Sequence, residues 1–242
     1  MTLPIRFSRS MLALAAFVAT IAPLAAQAQF DTAQAQSQAG SYPLWSLQYD
    51  SAYFTVISAE SGTRGAVTCT DSTIMGNVGS SGARPGVVQT RCSISGRVVA
   101  PVTPTVLAQV NSEYNSIGAR RCQKALAGTL AGLTLAPGVY CFPAAAAVTG
   151  TLTLNGPTTG VWVIQVNGDL TGKSFSMIMA GGGKPCNVYI ESKGATTMTT
   201  SNAKGNLLAG QAITMTGGSF VGRAFAMKAV TMTNMATTGC VQ

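Results

Sequence analysis

Of the side chains that most often do chemistry, this sequence holds six cysteines, seven carboxylates and no histidine. Without His there is no Ser-His-Asp or Cys-His relay and no His-based metal site. The carboxylates are Asp31, Asp50, Glu60, Asp71, Glu113, Asp169 and Glu191, and no two lie fewer than ten positions apart. Paired-carboxylate hydrolysis or an all-oxygen cation site would need long-range convergence of that small supply. No two cysteines have the CxxC spacing of structural zinc sites. The residues therefore predict no enzyme, no cofactor and no metal.

Cys69, Cys92, Cys122, Cys141, Cys186 and Cys240 are better read as disulfide partners, and six cysteines allow about 15 connectivities. Pairing of sequence neighbours, Cys69 with Cys92, Cys122 with Cys141 and Cys186 with Cys240, is the preferred arrangement. The N-terminus agrees with an oxidising destination. Arg6 and Arg9 precede an apolar run from Met11 to Ala25, and Ala26-Gln27-Ala28 is a small-x-small cleavage site. Residues 1–28 read as a signal peptide cut after Ala28, 29–43 as a flexible lead-in of mainly Gln, Ala and Ser, and 44–242 as one domain. No later stretch is long and apolar enough for a membrane helix. The expected product is a monomer that is secreted, periplasmic or at the cell surface, with 13 basic and 7 acidic residues, or +6.

The chemistry that remains belongs to hydroxyls. Charged residues are only 9% of the chain, against about 25% in ordinary globular domains, so hydroxyls, amides and backbone must wet the surface. Thr197-Met198-Thr199, Thr214-Met215-Thr216 and Thr231-Met232-Thr233 recur in steps of 17 residues, and Gly205 and Gly222 keep that step. Upstream, residues 161–171 align with 187–197, so that Thr171 matches Thr197. Seventeen residues are too many for a hairpin and too few for a helix pair, but they suit one coil of a β-solenoid with rungs about 4.8 Å apart. Alternation along a strand puts both threonines of each triplet outside and the methionine inside. Packing accounts for the methionines better than Cu(I) ligation, because three of them fall on one internal row.

Elements must hold these rows in place. From Leu44 onward, short β-prone runs alternate with Gly, Ser, Asn and Pro, predicting many short strands. One segment departs from this pattern. Leu107, Val110, Tyr114 and Ile117 form a single apolar stripe, Thr103-Pro104 supplies an N-cap and first turn, and Arg120, Arg121 and Lys124 suit a C-terminal end. A helix over about 104–121 is expected, with its stripe laid on a sheet face.

The segments TPTVLAQVNSEYNSIGARRC (103–122), LTLAPGVYCF (133–142), VWVIQVNGDLT (161–171), KGNLLAGQAITM (204–215) and GRAFAMKAVTM (222–232) resemble the microbial single-domain ice-binding protein family. FTVISAESGT (54–63) and STIMGNVGSS (72–81) are similar to its opening coils. The resemblance covers roughly residues 44–240. It implies a mainly β fold, a right-handed discontinuous β-solenoid with three faces and one long α-helix packed alongside. It also implies adsorption to ice, limiting growth and recrystallisation.

The family repeats Thr-Ala/Gly-x-Thr/Asn on its ice face. Here Thr199-Thr200-Ser201-Asn202 keeps the ends, Thr216-Gly217-Gly218-Ser219 ends in Ser, and Thr233-Asn234-Met235-Ala236 keeps only the first Thr. The resemblance thus implies a face of Thr199, Asn202, Thr216, Ser219 and Thr233, supported by Thr197, Thr214 and Thr231, with the ice crystal surface as partner. The alternative is a structural or adhesive extracellular module whose cations associate with an anionic envelope or matrix polymer. Nucleic-acid binding is disfavoured, because aromatics are 7% of the chain and are not interleaved with the basic residues.

Overall fold

The computed structural model describes residues 50–60, 66–83 and 85–240. The expected leader, the lead-in and the first residues of the expected domain lie outside them. Seven strands precede the helix: β1 (Phe54–Ser58), β2 (Val67–Thr70), β3 (Thr73–Met75), β4 (Asn77–Ser80), β5 (Val87–Thr90), β6 (Ser93–Ile94) and β7 (Val98–Val99). The helix, α1, is Pro104–Gly118. After it come β8 (Lys124–Ala125), β9 (Thr134–Leu135), β10 (Gly138–Phe142), β11 (Ala146–Asn155) and β12 (Trp162–Val166). The chain continues through β13 (Leu170–Ala180), β14 (Val188–Ser192), β15 (Thr196–Ala209), β16 (Ile213–Ala226) and β17 (Val230–Thr238).

All pairings between these strands are parallel, as expected for stacked coils rather than hairpins. The first face stacks β11, β13, β15, β16, β17, β2 and β5 in that order. A corner leads to the second face, where the later parts of β11, β13, β15, β16 and β17 continue into β3 and β6. The third face runs β8, β10, β12, β14, the ends of β15 and β16, and then β1, β4 and β7. The solenoid is discontinuous in the chain: the rung after β17 comes from β2, so the N-terminal strands complete a stack that the C-terminal strands begin.

The 17-residue step appears as register. Met198 pairs with Met215, Met215 with Met232, and Met232 with Cys69, all buried in one interior column. Gly172 opens the column: a Cβ there would meet the Met198 sulfur at 2.3 Å. The corner between the first two faces is a column of residues with positive φ, namely Ser174, Thr200, Gly217, Asn234, Asp71 and Arg91. A left-handed residue at this point in each of these coils turns the chain from the first face to the second.

Helix α1 begins as expected, with the Thr103 hydroxyl accepting from the Val106 amide and Pro104 in the first turn. Val106, Val110 and Ile117 are buried, with Leu107 and Tyr114 half-buried beside them. They cover Ile57, Leu208 and Phe225 on the third face. The helix stops at Gly118, and Arg120, Arg121 and Lys124 lie past its last turn. The Gln165 amide instead caps its C-terminal end, donating to Ile117 O at 2.7 Å and Gly118 O at 3.2 Å, and to Arg120 O just beyond at 2.9 Å. Near the middle of α1, Glu113 pairs with Arg223, whose Nε donates to Asn206 Oδ1 at 2.7 Å and whose guanidinium lies 5.0 Å from the Phe225 ring centre. Of the two uncovered faces, the first carries the threonine triplets.

Disulfides join Cys69 to Cys92, Cys122 to Cys141 and Cys186 to Cys240. The first staples the last two rungs of the first face, the second ties the segment after α1 to β10, and the third ties the chain end to the turn before β14. By loop length each contributes about 3 to 4 kcal/mol in the chain-entropy picture.

Candidate functional site

On the first face, alternation turns two positions per strand outward. The first column is Thr171, Thr197, Thr214, Thr231 and Thr68, on five successive rungs. The second is Thr199, Thr216, Thr233, Thr70 and Thr90, also on five rungs and displaced by one. Each column spans about 19 Å, and the two stand roughly 6.7 Å apart along the strands. These side chains range from half-buried to exposed. Neighbouring threonines restrict one another's already limited χ1, so methyls and hydroxyls repeat with little freedom. Among the described residues, no ladder hydroxyl has an internal hydrogen-bond partner, which leaves each available to water.

Six of the residues singled out in the sequence, Thr197, Thr199, Thr214, Thr216, Thr231 and Thr233, thus come together in adjacent columns. Asn202 and Ser219 do not join them. They lie past the left-handed corner, on the first outward row of the second face, where Ser219 Oγ and Asn202 Oδ1 are 2.8 Å apart. That row is small and uncharged in Ser176, Ala236, Thr73 and Ser93 as well. Sequence reasoning missed Thr68, Thr70 and Thr90. The available signal was Val67-Thr68-Cys69-Thr70, which has the alternation of Val230-Thr231-Met232-Thr233 with Cys in place of Met.

Charge is nearly excluded from this face. Asp71 and Arg91, at the corner of the last two rungs, neutralise each other in a two-point contact, with Arg91 Nη2 donating to Asp71 Oδ2 at 2.8 Å. The Arg91 guanidinium holds the Asp71 carboxyl below the usual carboxylate range. Asp50, Asp169, Glu113 and Glu191 serve the scaffold. Asp50 Oδ1 accepts from the Ala52 amide and Asp169 Oδ1 from the Ala195 amide, each at 2.8 Å. Glu191 is buried under α1, and desolvation raises its pKa; the nearby Tyr114 hydroxyl donates to Ser192 O at 3.4 Å. The Tyr114 phenol is itself pushed up to about 12, chiefly by burial. Among the described residues, no group of three or more His, Cys, Asp or Glu converges to hold a metal ion, and no helix is long and apolar enough to cross a membrane.

Residues 55–238 match the family model described as Ice-binding-like. Ice-binding proteins of Flavobacterium frigoris (strain PS1) and Nostoc sp. (strain HG1) are 33% identical over 103 residues and 36% identical over 122 residues. Those alignments cover 42% and 48% of this chain but only 34% and 45% of the relatives, so the chain matches less than half of each. The crystal structure of an ice binding protein from an Antarctic biological consortium superposes with a TM-score of 0.65 at 27% identity, over 84% of this chain and 94% of that one. One from an Antarctic Flavobacteriaceae bacterium gives a TM-score of 0.69 at 28% identity, over 78% of this chain and 45% of that one. With the family match spanning nearly all of the described solenoid, the chain belongs to the ice-binding-like family.

Proposed function

We propose that this protein is exported after cleavage following Ala28 and adsorbs to ice through the threonine ladder, slowing crystal growth and recrystallisation. The observation that carries this reading is the pair of uninterrupted threonine columns with free hydroxyls on a rigid, almost uncharged sheet face. A parallel sheet repeats its side chains at one spacing along each column, so water bound to successive hydroxyls and caged around successive methyls is held in a regular array. Such a layer can merge with a growing crystal, whereas water ordered by ions cannot. Thr197, Thr199, Thr214, Thr216, Thr231 and Thr233 form the centre of the contact. Asn202 and Ser219 border it across the corner.

Thermal hysteresis and recrystallisation inhibition of the mature protein test the reading. Micromolar protein is expected to shape crystals, and Thr216→Tyr, which raises a ring from the centre of the second column, is expected to lose most of the activity while its unfolding temperature stays close to that of the wild type. Inactive wild type, or a Tyr variant as active as wild type, contradicts it.

A second reading rests on the charge distribution. Among the described residues only Arg91 and Arg223 have ion-pair partners, and the remaining cations have none. Those cations favour association with an anionic envelope or matrix polymer. Binding to such a polymer would weaken with salt and survive Thr216→Tyr.

A further inference from the structure

The unpaired cations are not distributed evenly over the solenoid. Lys184, Lys193 and Lys228 sit on turns, Arg120 and Arg121 follow the helix, and Lys204 lies on the second face. Lys173 alone among the described residues places an unpaired charge on the ladder face. Its Cα pairs in register with Thr199, and its side chain is exposed, while Gly172 before it is buried. It therefore occupies the position at which the second column would gain its next rung. Two residues earlier on the same strand, Thr171 begins the first column.

Among the described residues no acid pairs with this cation. Asp169, at the foot of the same strand, accepts from the Ala195 amide, and Glu191 is buried beneath the helix. An ammonium is a compact, strongly hydrated charge on a flexible four-carbon stem. From position 173 it can sweep over both Thr171 and Thr199, and the water it orders points its oxygens at the charge rather than into a lattice.

We propose that Lys173 sets one limit of the ice-contacting face and holds activity below what the threonine array would otherwise support. The inference rests on the ladder being the ice-contacting surface. It makes Lys173 a determinant of strength: neutralising it extends the second column by a rung and releases Thr171 and Thr199 from a competing hydration shell.

Thermal hysteresis of wild type, Lys173→Thr, Lys173→Glu and Thr216→Tyr, measured across one concentration series with thermal unfolding of each, tests this. Lys173→Thr is expected to exceed wild type at every concentration, and Lys173→Glu, another hydrated ion, to stay at or below it. Lys173→Gln, neutral and of similar length, carries the same comparison if a branched side chain disturbs the strand. Active wild type that loses activity in Thr216→Tyr but gains none in the neutral variants overturns the role of Lys173 and leaves the ladder reading standing. A gain in Lys173→Glu equal to that in Lys173→Thr also overturns it. Inactivity of all four proteins overturns the ladder reading itself.

Discussion

Threonine is the residue on which the site turns, because one short branched side chain carries a methyl and a hydroxyl and loses little entropy when its neighbours hold it still. The same branching is a liability where the backbone bends. Thr200 occupies the left-handed corner with φ 49°, whereas the next two coils place Gly217 and Asn234 there. A β-branched residue in that region is strained, and Asn tolerates it far better. Thr200→Asn is therefore expected to stabilise the protein by about 1 kcal/mol, read as a higher denaturant midpoint at unchanged slope. An unchanged or lower midpoint would show that the corner is relaxed around Thr200. The sequence displays the Thr-Thr-Ser-Asn run plainly, but nothing in it marks Thr200 as the bend rather than a member of the ladder.

At the scale of elements, the helix and the long strands were the most legible parts. The stripe of α1 and its Thr103-Pro104 start are local signals, and the aligned triplets of β15, β16 and β17 are repeated local environments. The helix C-terminus was less legible, because Arg120, Arg121 and Lys124, expected to suit that end, lie past it, and Gln165, a residue of β12, caps the Ile117 and Gly118 carbonyls. The contact of α1 with the third face also hides Glu191, which is 2% exposed. Desolvation raises its pKa above that of the unfolded chain, so its contribution to stability is intact below the ordinary carboxylate range and is lost as pH rises through the raised folded value. Denaturant midpoints across that window should fall for wild type with rising pH. They should fall less for Glu191→Gln, which is expected to be the more stable protein at neutral pH. Parallel pH profiles would mean that the carboxyl is adequately solvated or paired when ionised.

At the largest scale, the solenoid stacks its rungs in an order that only the third dimension reveals. The Met235 amide donates to Ser72 Oγ across 163 positions of sequence, and around that junction β2 and β5 carry Thr68, Thr70 and Thr90 into the ladder. No periodicity could announce this, since the step to the next rung runs backward along the chain and Cys69 replaces the interior methionine. The scarcity of charge acquires its structural sense at this scale: Asp71 and Glu113 are held in ion pairs, Asp50 and Asp169 accept backbone amides, and the ladder is left neutral but for Lys173. If the ice-contacting surface is this composite array, a ring placed on the N-terminal rung should damage activity much as one placed in the C-terminal repeat does. Thermal hysteresis of Thr70→Tyr, measured beside Thr216→Tyr and wild type with folding verified for each, is the most direct test. A marked loss in both variants is the predicted result. Full activity in Thr70→Tyr would confine the contact to the C-terminal repeat, and full activity in both would contradict the assignment of this face to ice.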